Sequence, residues 1–477
     1  MLIERPGRLG LVVCTLLTLI LFLAFQSRDG QLISLPSLAR RRIEKAFSSS
    51  SSRWLSVPQD PLLVTTSNNY TGNDNNKDSE INLVEVPKTH RQIFSVSTAN
   101  RGYFSISFGE QIGYNPNIIP HPSLADTWIV VAQKLRSSVN QTVWFAELVC
   151  DAVFINSILT CTHAPSILPI ATTSTDKCEA DLQHFQFNIG PHDARVFYGP
   201  RVPYAMYGSQ SAYTCFGIWM QDFRVLVDWG FEEIQDFKQA TDLQRPLAYG
   251  PVEKNWFVFW DRDGHMYAHY DVAPQRTFAA LDSDGTVGQD LALLAAESDG
   301  RCFAKYMPKV SQELGAGSIH QATNSLSVTF CTRADPSCVP DDFNTYIFTI
   351  FQQKHLHGYH AVYEPYVMVF QQRAPFEVHA ISKQPIWIHG RGKYQPKVGK
   401  RETHDLASGA GAPTSASTSQ TEMFYVTSMS WATHGQKYHG FIDDKLFIAF
   451  GIEDSASAGI DVTAADLLED LGLCMDV

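Results

Sequence analysis

The chain has little of what marks a nucleic-acid-binding, metal-clustering or helical protein. Basic residues are outnumbered, with Lys+Arg 37 against Asp+Glu 49 and a formal net charge of −12, which excludes a surface that tracks a phosphate backbone. No Cys-x-x-Cys spacing occurs, so a zinc knuckle or redox dithiol has no support. Long amphipathic helical patterns are scarce after residue 60, and no clean internal repeat is visible. What remains is aromatic and β-branched: aromatics make up 12% of 477 residues, a composition that favours strands around a sizeable core.

The N-terminus carries an uncharged apolar run from Leu9 to Phe25, with Arg5 and Arg8 before it. At about 1.5 Å per residue this run is short for a standard bilayer and suits a thinner early-secretory membrane. No small-residue cleavage site precedes Gln26-Ser27-Arg28-Asp29. The expectation is a cytoplasmic tail (1–8), an uncleaved transmembrane signal anchor (9–26), a largely disordered stem (27–98) and a luminal body (99–477). That is a single-pass type II protein of the Golgi or another secretory-pathway membrane. Two sequons, at Asn69 and Asn140, fit glycosylation in that compartment. Of nine cysteines, Cys14 lies in the anchor; the other eight form an even set, which predicts disulfides. Cys150 with Cys161 and Cys331 with Cys338 are the short-loop pairs.

Apolar segments in the body are short and separated by turn residues, as in DTWIVVAQ, NWFVFW, TYIFTIF, YVMVFQQ and KLFIAFG. The spacing predicts an all-β fold, and five four-stranded blades of about 70 residues each would account for its length. A low-complexity stretch, 390–422, reads as a mobile insertion.

The most informative stretch is Asn188-Ile189-Gly190-Pro191-His192-Asp193-Ala194-Arg195-Val196-Phe197. Period-2 spacing places Asp193 and Arg195 on one strand face, a proton-handling carboxylate beside a fixed cation. The plain alternative is a turn with a surface ion pair. Further on, Lys254-Asn255 and Arg276 stand at strand ends, where a propeller would aim them at its channel. Asp261-x-Asp263 reads as a hairpin turn ahead of a divalent-metal site, and no cofactor is expected. His355, His357 and His360 lack a carboxylate that would complete a metal set; His360 with Tyr359 suits hydrogen bonds to an anion or sugar hydroxyl. Glu453 and Asp454 follow an apolar strand, where acids cap a sheet edge or hold sugar hydroxyls.

Taken in order, Asn115-Pro116, Gly190-x-x-Asp193-x-Arg195, Glu253-Lys254-Asn255, Arg276, the segment 375–385, His439-Gly440 and Gly451-x-x-Asp454 resemble a family. It is that of the five-bladed β-propeller mannoside phosphorylases and related β-mannosyltransferases. His192 and Ala194 depart from the family's Glu-Asp-Pro-Arg segment. The resemblance implies an inverting transfer at mannose, with Asp193 as the acid or base. It implies an anion-binding wall of Arg195, Lys254 and Arg276 beside Asn255, with Asp454 on sugar hydroxyls and Tyr359, His360 and His439 as helpers. With the anchor and stem, the leading expectation is a Golgi-type glycosyltransferase, an inverting β-mannosyltransferase. Its partners would be a sugar nucleotide or sugar phosphate donor, a glycan acceptor and the membrane, with no nucleic acid. Two alternatives stand beside it: a membrane-anchored glycoside hydrolase or phosphorylase on mannosides, and a non-catalytic glycan-binding propeller. An inverting hydrolase needs a second carboxylate, for which Asp261, Glu364 and Glu453 are candidates.

Overall fold

Short apolar strands separated by turns give five successive antiparallel meanders. The computed structural model describes residues 84–139, 142–227, 229, 236–310, 317–321, 323–357, 360–395 and 420–477. The expected tail, anchor and most of the stem, with Asn69, Asn140, Tyr359 and residues 396–419 of the insertion, lie outside them. Among the described residues no helix is long and apolar enough to cross a membrane.

The first meander runs Gly113–Pro120, Trp128–Lys134, Glu147–Ile155, Ile158–Cys161, and the second His192–Tyr198, Pro203–Ser209, Gly217–Asp222, Thr241–Asp242. The third is Phe257–Trp260, Met266–Asp271, Thr277–Ala280. The fourth is built on Leu326–Thr329, Thr345–His357, His360–Gln371 and Val378–Ser382. The fifth, Phe424–Trp431, Lys445–Ile452, Ala456–Thr463, is completed by Phe104–Ser107 from the start of the body. Closing the last meander with an early strand ties the two ends of the fold together, the arrangement of an all-β propeller.

First strands of the meanders are buried on both faces, so they read as continuous apolar runs such as FVFW without alternation. Neighbouring first strands are bridged by side-chain amides, which present one donor and one acceptor like a peptide group. Asn117 donates to the Ala194 carbonyl and accepts from the Val196 N–H. Asn324 clasps the N–H and carbonyl of Met429 at 3.0 Å each.

Four disulfides pair all eight cysteines after Cys14: Cys150–Cys161, Cys178–Cys215, Cys302–Cys474 and Cys331–Cys338. Both short-loop pairs read from the sequence are among them. A short strand lies within the stretch read as stem, ahead of residue 98. Arg91–Ile93 pairs in parallel with Ile386–Ile388, and the Arg91 guanidinium donates to the carbonyls of Asp466 and Leu467. A three-residue strand in a polar context carries no periodicity to reveal it.

Candidate active site

Three first strands are entered through a residue in the left-handed region: Asn115 (φ 53°), Asp193 (φ 49°) and Asn255 (φ 63°). Asn and Asp tolerate this conformation better than other residues with a Cβ, and clustering of such strain marks a functional site. Glu453 (φ 51°) and Asp454 (φ 44°) reach the same end of the fold from the turn after Lys445–Ile452. Asn115, Asp193, Asn255 and Asp454 line a cavity of about 420 Å³ that Lys254 and Lys354 also line. A smaller recess of about 220 Å³ shares Asp193, Lys254 and Asn255 with it and is lined by Arg195.

The second meander bulges at Asp193: its pairing with Pro203–Ser209 shifts register between His192 and Arg195. A bulge re-aims the side chain it carries. The simple period-2 expectation therefore fails here, because Asp193 is exposed in the cavity while Arg195 is 8% exposed behind it. One Asp193 oxygen accepts from the Asn115 amide at 3.0 Å. The Arg195 guanidinium donates to the Asn255 side-chain oxygen at 3.0 Å and to the Trp256 carbonyl, both uncharged acceptors. The Tyr425 hydroxyl shares that Asn255 oxygen.

Cations converge on His320, whose Nδ1 lies 3.3 Å from the Asn255 amide nitrogen. Burial, then Lys254, Lys354 and Arg195, holds His320 down at about 4, so it is neutral at physiological pH. Lys354 is itself pushed down, first by burial and then by Lys254, with Asp454 opposing. None of Arg195, Lys254 and Lys354 has a carboxylate ion-pair partner among the described residues. Like charges held together without direct ion-pair partners form a site for an anion. Asp454 titrates above the ordinary carboxylate range, because of burial first and then Asp193 and Glu453. The cavity thus offers two carboxyl groups, Asp193 and Asp454, and a cationic patch between strands of the third and fourth meanders.

Other residues expected in the site are elsewhere. Arg276 is 3% exposed, donates to Asp299 at 3.0 Å and to the Phe376 carbonyl, and stacks between Phe278 and Phe370. It is a structural ion pair and leaves the anion wall. His439 bonds Thr329 at 2.8 Å on a short strand paired with Leu326–Thr329 and lines neither cavity. His360 contacts Glu453 at 3.0 Å and stacks on Tyr394, so it supports the Glu453–Asp454 turn from behind. Asp261, Asp263 and His265 cluster in a hairpin turn. Asp261 accepts from the backbone N–H groups of Asp263 and His265 and from the Tyr267 hydroxyl, which satisfies the turn. Of the second-carboxylate candidates, Glu364 is engaged by His90 and Arg391, and Glu453 by His360 and the Met423 N–H. Asp454 is the acid that faces the cavity.

Arg136, His320, Lys354, Tyr363 and Tyr425 line the cavity without having been singled out. Lys354 opens the KHLHGYH stretch, where the histidines draw attention from it. Tyr425 sits near the start of a first strand, as Asn115 and Asp193 do, and asking what occupies that place in each meander would have found it.

No family model matches the chain, and no curated protein does. Among solved structures, a β-1,2-mannobiose phosphorylase from Listeria innocua aligns over 79% of this chain and 96% of its own, at 9% identity and a TM-score of 0.38. A putative glycosidase from Bacteroides thetaiotaomicron aligns over 79% and 95%, at 11% identity and a TM-score of 0.34. A Bacillus subtilis arabinanase aligns over 75% and 97%, at 9% identity and a TM-score of 0.31. By their names these neighbours are a phosphorylase, a glycosidase and an arabinanase; none is a glycosyltransferase, and the glycosyltransferase expectation is withdrawn.

Proposed function

We propose that the chain is a glycoside-cleaving enzyme on a five-bladed propeller and that it splits a β-mannoside by phosphorolysis. The observation that supports this reading is the set of three cations, Arg195, Lys254 and Lys354, around neutral His320 beside Asp193, with no carboxylate ion-paired to any of the three among the described residues. Phosphate bound there attacks the anomeric carbon as the glycosidic C–O bond breaks. Asp193 delivers a proton to the departing oxygen, directly or through a sugar hydroxyl. Phosphate arrives already anionic, so one acid suffices. Asp454 holds sugar hydroxyls in this scheme. Its presence in the same cavity favours a second reading, inverting hydrolysis with Asp454 activating water, which calls for two carboxyl groups about 6.5–9.5 Å apart.

Incubation with β-linked manno-oligosaccharides, with and without inorganic phosphate, separates the two. Phosphorolysis yields a mannose phosphate only when phosphate is present. Free mannose released at the same rate without phosphate selects hydrolysis, and intact substrate in both arms sinks the glycoside-cleaving assignment.

The N-terminal run also supports a type II secretory-pathway topology, with the body in an oxidising lumen that suits its four disulfides. N-terminal sequencing of mature protein that begins near residue 27 would overturn the uncleaved anchor.

A further inference from the structure

Behind Asp193 lies a carboxyl group that the proposed reaction does not use. Glu147 begins the third strand of the first meander and is 0% exposed. One of its oxygens accepts from the Ala194 N–H at 3.0 Å, and the other has no hydrogen-bond partner. No lysine, arginine or histidine bonds it among the described residues. The titratable groups that face it are Asp193, on the second meander, and Tyr114, on the first strand of its own. Neither brings a positive charge. A carboxylate sealed in that setting, with an unpaired oxygen and an acid for a neighbour, would carry a desolvation cost that the neutral acid avoids.

Glu147 also has a mechanical role. The bulge at Asp193 takes the N–H groups of Asp193 and Ala194 off the ladder. The first meander captures both. Gln133 accepts from Asp193 N–H at 2.8 Å while donating to the Ala146 carbonyl at 2.8 Å, and Glu147 accepts from Ala194 N–H. The left-handed backbone of Asp193 is thus gripped from both sides by adjacent residues of one neighbouring meander.

We infer that Glu147 works as an uncharged carboxylic acid and is the positioning residue that holds the Asp193 bulge in its reactive geometry. This inference rests on the glycoside-cleaving reading with Asp193 as proton donor. Burial and the neighbouring Asp193 both favour the protonated form, with the Ala194 N–H opposing them.

The test uses full-length protein and two substitutions. Glu147→Gln keeps shape and acceptor without an ionisable proton; Glu147→Ala removes the grip. In Glu147→Ala, kcat should fall about 10²-fold with KM changed less than about threefold, because a displaced catalytic group costs turnover more than binding. Glu147→Gln should restore kcat to within about tenfold of wild type. Independently of activity, the infrared carbonyl band of a buried neutral carboxylic acid should be present in wild type at neutral pH and absent from Glu147→Gln. The inference is overturned if that band is missing from wild type, if Glu147→Gln folds yet is as inactive as Glu147→Ala, or if Glu147→Ala keeps full kcat. Should Glu147→Ala fail to fold, the band and Glu147→Gln still decide. Undiminished activity in Asp193→Asn would instead bring down the parent reading, leaving the band unaffected.

Discussion

Arg195 and Arg276 are both nearly sealed from solvent, at 8% and 3% exposure; Arg195 lies within the first strand of the second meander, and Arg276 immediately precedes the third strand of the third. They serve opposite ends. Arg276 is neutralised by Asp299, held by the Phe376 carbonyl and sandwiched by two phenylalanine rings in the interior between the third and fourth meanders. Arg195 has no carboxylate ion-pair partner among the described residues; it donates to the uncharged oxygens of Asn255 and Trp256 and borders a cavity that Lys254 also lines. A buried guanidinium is therefore a binding group or a structural one according to its acceptors. A carboxylate partner uses up the charge; amide and carbonyl partners orient it and leave it available.

The largest expected effect on that contrast is on stability. Arg276→Met strands the Asp299 carboxylate in the interior, and breaking a buried pair from one side costs about 3–5 kcal/mol. Urea unfolding should show this loss, while the fraction that stays folded keeps its affinity for phosphate. Arg195→Met should do the reverse. It leaves no carboxylate stranded, and the loss of one or two charge-assisted bonds to a phosphate, each about 1.5–3 kcal/mol, weakens phosphate binding by about tenfold or more. Lys254→Ala should resemble it, with smaller stability loss because that side chain projects into the cavity. Calorimetric titration with inorganic phosphate measures each. Equal loss of affinity in Arg276→Met and Arg195→Met would erase the distinction.

A smaller effect concerns acid. His320 is held at about 4, below the ordinary 6.5, by burial and then by Lys254, Lys354 and Arg195. His192 is likewise near 4, through burial, with Asp193 opposing. A depressed histidine favours folding in its neutral form. Its contribution is present above about 6.5 and is lost as pH falls toward 4, where the unfolded chain binds the proton first. The urea midpoint should therefore drop between about pH 7 and pH 5, and less steeply in His320→Asn. Parallel curves for the two proteins would show that the cationic patch does not press on His320.

Much of this arrangement could be read beforehand. Short apolar segments punctuated by turns point to an all-β array, because first strands buried on both faces leave continuous apolar runs. Asp193, Arg195, Lys254, Asn255 and Asp454 do converge on the two adjoining cavities. What could not be read is orientation. Arg276 occupies a strand end as Lys254 does, and only the long-range partners Asp299 and Phe376 show that it turns inward. The bulge at Asp193 breaks the alternation that would have placed Asp193 and Arg195 side by side. Gln133 and Glu147, which hold that bulge, lie 60 and 47 residues away from the groups they bind, with nothing local to mark them. Lys354 and Tyr425 come from the fourth and fifth meanders and meet Asp193 only when the fold closes.

The central claim is that Asp193 moves the proton in a site whose cations hold the anion. Its most direct test compares wild type with Asp193→Asn for mannose phosphate formation at saturating phosphate, with phosphate affinity measured on the same samples. The account predicts a rate lower by about 10²–10⁴-fold in Asp193→Asn, the usual worth of general acid catalysis, with phosphate affinity retained. Product formed at near wild-type rate by Asp193→Asn would contradict it.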